Sequence, residues 1–200
     1  REKEKPRCRY FNNSYFRRDE LDGLVSQILE VYSHSPQKIL EIGIGNGFVS
    51  TFLKKTGFEV TTLDINEKLE PDIVGDITEI DKYFTENSFD LILCAEVLEH
   101  IQFEYFEEVL HKLSLITKSI VIITLPISYR ILFDLRISVK IPFIPRIEFD
   151  LFITIPRRSK WAGHCWEIDY NKAYSLRTIR KIILNYFVIN KEFRDKRIRH

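Results

Sequence analysis

The sequence predicts an α/β fold, a doubly wound and mostly parallel sheet with helices on both faces, and three observations predict it. Ile39, Leu40, Ile42 and Ile44 form a near-continuous apolar run, as a strand buried on both faces should. Gly43, Gly45 and Gly47 follow at every second position, and Phe48, Val49, Phe52 and Leu53 then start a helical stripe. Beyond them, short β-branched runs alternate with helical periodicities, the rhythm of βα units. The 200 residues, 44% hydrophobic and 30% charged, suffice for one buried core and are few for two. One domain is expected: an arm and helix over 1–35, a core over 36–126, an insertion over 127–163, and a last helix and strand over 164–200.

Taken in order, residues 1–18 are charged and aromatic without clear periodicity and read as a partly ordered arm. Leu21, Leu24, Val25, Ile28 and Leu29 recur at helical spacing up to Tyr32, and His34-Ser-Pro closes the segment. After the glycine turn the next helix ends near Gly57, a suitable C′ glycine. Glu59–Ile65, Ile73–Ile77 and Phe89–Cys94 read as further strands. Phe103, Phe106, Val109, Leu110 and Leu113 mark a helix, and Ser119–Leu125 a fifth strand. Residues 127–163, with Pro142, Pro145 and Pro156, alternating apolar residues and scattered arginines, predict a β-hairpin or lid inserted after that strand. Ser175 is placed to cap a helix carrying Leu176, Ile179, Ile182 and Ile183, and Tyr186–Phe193 reads as a last strand.

The net charge of +1 hides an uneven distribution. Between Asp64 and Glu108 stand fourteen acidic residues against Lys68 and Lys82, whereas 127–163 carries seven Arg or Lys against three acids. The acidic middle argues against a general nucleic-acid surface there and leaves the flanks open to phosphates or acidic lipid. Cys8, Cys94 and Cys165 are odd in number and outside any Cys-x-x-Cys spacing, so neither a disulfide framework nor a thiolate zinc site is suggested. Cys94 and Cys165 read as packing residues. No signal sequence opens the chain, and the apolar run near Ile120 is cut by Pro126, short of a membrane span. A soluble protein of the reducing cytoplasm is the expectation. The lack of any methionine predicts a reading frame that begins before Arg1.

The glycine turn narrows the ligand. A dinucleotide fingerprint needs a small residue where Phe48 stands, and no Gly-Lys-Ser/Thr follows for a triphosphate. What remains is a turn preceded by Glu41, with Asp64 lying 21 residues beyond Gly43, where a carboxylate can accept from a ribose diol. The ordered set Glu41-x-Gly43-x-Gly45-x-Gly47, Asp64, Val74-Gly-Asp76-Ile77 and Phe89-Asp-Leu-Ile-Leu-Cys-Ala-Glu-Val-Leu-Glu-His resembles the class I S-adenosylmethionine-dependent methyltransferases over about residues 37–125. The resemblance implies a Rossmann-like fold. It also implies that Gly43, Gly45 and Gly47 line the methionine part of the cofactor, that Asp64 binds the ribose hydroxyls, and that Ile65, Asp76, Ile77 and Ala95 surround the remainder. The charge pattern suits it independently, because Glu41 and its acidic neighbours favour a sulfonium cation without phosphates. Loss of the methyl group leaves S-adenosylhomocysteine.

Glu96-Val-Leu-Glu99-His100 falls where the fourth strand hands over to the next helix, and in a helical turn Glu96, Glu99 and His100 share one face. Two carboxylates and an imidazole, with His164 beyond the insertion, suit Mg²⁺ or Mn²⁺, which would ease deprotonation of a bound hydroxyl. Alternatively His164 acts as a metal-free base, or the acids charge the helix start and His164 holds the lid. The Glu-x-x-Glu-His pattern with a distant His is similar to that of small-RNA 3′-terminal 2′-O-methyltransferases and quinone-biosynthesis O-methyltransferases. The expected activity is O-methylation of a small, apolar, hydroxyl-bearing acceptor. Methylation of a terminal RNA ribose, and a non-catalytic cofactor-binding interaction protein, are the alternatives. Tyr129, Phe133, Phe143, Phe149, Phe152 and Trp161, interleaved with basic residues, suit an apolar cover over substrate, an anionic membrane surface or RNA stacking, with packing of the insertion on the core as the plainest expectation.

Overall fold

The computed structural model describes residues 2–12, 17–157 and 160–193. The leading helix is α1 (Arg18–His34), which ends where Ser35 turns left-handed (φ 49°) ahead of Pro36. The chain then builds β1 (Lys38–Ile42), α2 (Phe48–Lys55), β2 (Glu59–Asp64), β3 (Ile73–Val74) and β4 (Phe89–Ala95). After α3 (Phe106–Ile116) comes β5 (Thr117–Thr124). These strands form one parallel sheet in the order β3-β2-β1-β4-β5. The order reverses between β1 and β4, the switch point at which such sheets bind ligands beyond their carboxyl ends.

Alternation along the central strands supplies two cores. Ile39, Leu91 and Leu93 face α1 and α2, packing with Ile28, Val31, Val49 and Leu53. Leu40, Ile42, Ile92 and Cys94 face the other side, against Phe106, Val109, Leu110 and Leu113 of α3 and Ile179 of α4 (Leu176–Ile183). Ser175 caps α4, its hydroxyl oxygen accepting from the Thr178 amide at 3.2 Å. Trp166 is fully buried on this second face, between Phe103 and Phe106 with ring centroids 5.2 and 5.1 Å away. The doubly wound reading therefore holds.

Two expectations are corrected. Tyr186–Phe193 forms no strand. Its alternating apolar pattern suits a strand, yet no sheet edge takes it up: the Tyr186 hydroxyl lies 3.3 Å from Glu107 and Val188 is 83% exposed. The insertion is a hairpin, β6 (Tyr129–Val139) and β7 (Ile147–Pro156), paired antiparallel as a separate sheet rather than packed on the core. Its base is tied to the body: the Ser128 amide donates to the Ile168 carbonyl at 2.8 Å, and the Ile168 amide to the Pro126 carbonyl at 3.0 Å. Among the described residues no helix is long and apolar enough to cross a membrane.

Candidate active site

The four loops leaving β1, β2, β3 and β4 gather at the carboxyl edge of the sheet. Gly43, Gly45 and Gly47 all have positive φ (79°, 54° and 72°), so the turn after β1 keeps its backbone exposed to whatever lies above it. At Gly43 the need is steric as well, because an added Cβ would overlap the Val97 Cγ2 methyl from the loop after β4.

Asp64 ties two of these loops together. Its Oδ2 accepts from the Ile44 amide at 3.0 Å and its Oδ1 from the Asn66 amide at 2.8 Å, which leaves further lone pairs on each oxygen for a ligand. Partial burial raises its pKa despite the two amides. Glu41 is buried beneath the turn, on the strand face toward α2, and desolvation pushes its carboxyl up to about 7 even though Ser50 hydrogen-bonds to it. Its Oε2 has no partner.

The remaining residues expected in the cofactor set fall in two classes. Ile65 and Ala95 are half-buried at the ends of β2 and β4, facing this edge in sequence position. Asp76 caps the 3₁₀ turn that follows β3, its Oδ1 accepting from the Thr78 amide (2.9 Å) and hydroxyl (2.8 Å). Ile77 is buried in the core beside it.

Along the same edge, the β4 loop builds a buried polar cluster. Glu96 has left-handed backbone (φ 55°), and the turn that follows, Leu98–His100, is 3₁₀ rather than α. The expected common face of Glu96, Glu99 and His100 is therefore not formed. The Glu96 Oε1 instead accepts from the Thr124 hydroxyl at 3.1 Å, while Glu99, His100 and His164 each bring one ligating atom to within 4.8 Å of the others. Glu99 is fully buried and neither carboxylate oxygen has a hydrogen-bond partner. Burial, reinforced by the negative charge of Glu96, holds its pKa well above the ordinary range. Burial lowers that of His100, favouring the neutral imidazole.

Both histidines are oriented through Nδ1. That of His100 lies 3.3 Å from the Gly163 carbonyl, and that of His164 3.0 Å from Glu167 Oε1, leaving Nε2 on each ring as the working nitrogen. Glu167 is itself fully buried and takes the Trp161 amide (2.6 Å) and the Arg157 guanidinium. Burial alone would raise its pKa, but His164, Trp161 and Arg157 outweigh it and hold the carboxyl below its usual range.

Two participants escaped sequence reasoning. Glu167 carried a signal, the His-x-x-Glu spacing from His164, which places two side chains within reach of one another. Glu2 carried none, yet its carboxylate sits 3.5 Å from His100 Nδ1 and pairs with Lys5, whose carbonyl accepts from Asn66 Nδ2 at 3.0 Å. Residues 2–12 of the arm thus form two 3₁₀ turns against the site. A shallow depression lined by Pro36, Gln37, Thr56, Gly57, Phe58 and Glu59 lies at the opposite edge of the sheet, away from all these groups.

The family model described as "Methyltransferase domain" matches residues 40–122, from β1 through β5. Residues 40–122 are thus similar to a methyltransferase domain over the strands that carry the glycine turn and Asp64. A curated relative, the "Ubiquinone biosynthesis O-methyltransferase" of Rickettsia bellii, is 27% identical over 94 residues, which cover 41% of this chain and 39% of the relative. The chain thus spans well under half the length of that methyltransferase. Among solved structures, the PH0226 protein from Pyrococcus horikoshii OT3 shares the fold with a TM-score of 0.50 at 15% identity, covering 84% of this chain and 82% of the other. A methyltransferase described as S-adenosylmethionine-dependent, from Archaeoglobus fulgidus, is 23% identical, with a TM-score of 0.46 over 60% of this chain and 55% of the other.

Proposed function

We propose that this chain transfers a methyl group from S-adenosylmethionine to a hydroxyl oxygen of a small apolar acceptor. The observation that carries the reading is Asp64, which bridges the glycine turn and the β2 loop at the switch point of a methyltransferase domain. Buried Glu41 below the turn, its Oε2 without a partner, adds a negative potential suited to a cation when ionised. The curated relative is named for O-methylation, which supports oxygen as the accepting atom.

When bound, the cofactor supplies an electrophilic methyl group on a sulfonium sulfur. The chain's own work is then to hold the acceptor in line and to take its proton. His164, oriented by Glu167, is the residue we assign to proton removal, and neutral His100 stands beside it, with ring centroids 5.0 Å apart. Calorimetric titration with S-adenosylmethionine is expected to show binding that Asp64→Ala weakens by about ten- to a hundredfold, the cost of one or two lost charge-assisted hydrogen bonds. No binding by the unaltered chain would overturn the reading.

A divalent cation is a second reading, favoured by buried Glu99, whose two oxygens accept no hydrogen bond and whose Oε1 lies 3.9 Å from His100 Nε2, with His164 beside them. Those residues would hold Mg²⁺ or Mn²⁺, which would supply Lewis-acid activation of the acceptor hydroxyl. Mn²⁺ is then expected to raise the melting temperature of the unaltered chain by several degrees and that of Glu99→Gln hardly at all. Equal responses would return the proton transfer to His164 alone.

A further inference from the structure

The β6–β7 hairpin presents a whole sheet face to solvent. Register pairs Phe133 with Ile153, Leu135 with Leu151, Ile137 with Phe149 and Val139 with Ile147, so directly opposed residues at every second position are all apolar. Each of these eight is between 39% and 56% exposed. In the sequence, the alternate positions 134, 136, 138, 148, 150 and 152 are Asp, Arg, Ser, Glu, Asp and Phe, so five of the six are polar. The apolar character continues around the connecting loop through Ile141, Phe143 and Ile144, and Phe143 at its tip is fully exposed. A two-stranded ribbon is marginal in water by itself, and an apolar area of this extent marks a surface that something covers.

We propose that the hairpin docks on an anionic lipid surface, its tip entering the headgroup layer and its apolar face lying against the acyl boundary. Charge complementarity decides the occupant. Lys140 and Arg146, both exposed, bracket the apolar tip, and residues 140–146 contain no acid, although the core's middle is strongly acidic. Two hairpins from separate copies laid face to face would cover the eight paired residues but leave Phe143 and Ile144 in water. A bilayer interface takes tip and face together. The hairpin's base also runs straight into the site, since Arg157, just after β7, holds Glu167.

The test is sedimentation of the full chain with phosphatidylcholine vesicles made with and without phosphatidylglycerol. Binding is expected to the anionic vesicles only, to weaken as salt is raised, and to fall by about tenfold or more in Phe143→Ser/Ile144→Ser, which removes two large side chains from the interface. Lys140→Glu/Arg146→Glu should cost a similar factor. Because these positions lie in a loop outside both cores, thermal melting of the variants should match the unaltered chain. Phe143→Trp should be quenched by lipids brominated on their acyl chains. Failure to bind either vesicle would overturn the proposal, as would light scattering that shows a dimer dissociated by Phe143→Ser/Ile144→Ser. Neither outcome bears on cofactor binding, which Asp64→Ala tests separately.

Discussion

Gly43→Ala is expected to reduce S-adenosylmethionine binding by more than a hundredfold and to destabilise the fold by about 2–5 kcal/mol. Two costs combine. The backbone at φ 79° is left-handed, which an L side chain adopts at a cost of about 1–2 kcal/mol. The new Cβ also overlaps the Val97 Cγ2 methyl, and overpacking of that kind costs about 1–3 kcal/mol. Relief by either route moves the turn that carries the Ile44 amide to Asp64, so binding falls with stability. Val97→Ala in the same chain should recover the steric part in urea denaturation and leave the conformational part. Wild-type affinity in Gly43→Ala would show that the turn is not where the cofactor lies.

Glu41→Gln is expected to change how stability depends on pH. Burial raises this carboxyl from an ordinary 4.5 to about 7, so the folded chain binds the proton more tightly than the unfolded one. Its favourable contribution is fully present below pH 4.5 and is lost as pH rises through 7. The loss amounts to about 3 kcal/mol. Glutamine carries no such proton, so the variant should match the unaltered chain near pH 4 and exceed it by up to about 3 kcal/mol at pH 8, measured by denaturant unfolding at each pH. Parallel pH profiles for the two proteins would mean that Glu41 is hydrated in a way its burial does not allow.

The parts of this molecule that local spacing governs were legible in the sequence. Strand β1, the three glycines and Asp64 lie within about thirty residues, and each needs only its neighbours to take up its conformation. The doubly wound, mostly parallel sheet followed from the βα rhythm. What lay beyond reach depends on long-range contact. The amide of Cys165 donates to the carbonyl of Glu99 at 2.7 Å, and that hydrogen bond brings His164 to His100; no periodicity announces it. Alternation in 127–163 predicted a hairpin but could not say whether its apolar face would meet the core. In Tyr186–Phe193 the same kind of alternation misled, because a strand also requires an edge to pair with. At Glu96 the helical-face argument failed on a single left-handed residue, which turns the carboxylate toward Thr124.

The contacts of residues 2–12 have a kinetic consequence. This segment reaches the β2 loop through Lys5 and Asn66 and the β4 loop through Glu2 and His100, so it straps two of the four loops that surround the cofactor turn. Strapping of this kind acts on passage more than on equilibrium. Entry and exit of any molecule held there proceed at the rate at which this short segment lifts, an event governed by a few local contacts, the Arg7–Glu70 ion pair at 3.1 Å among them, and not by the depth of the well beneath them.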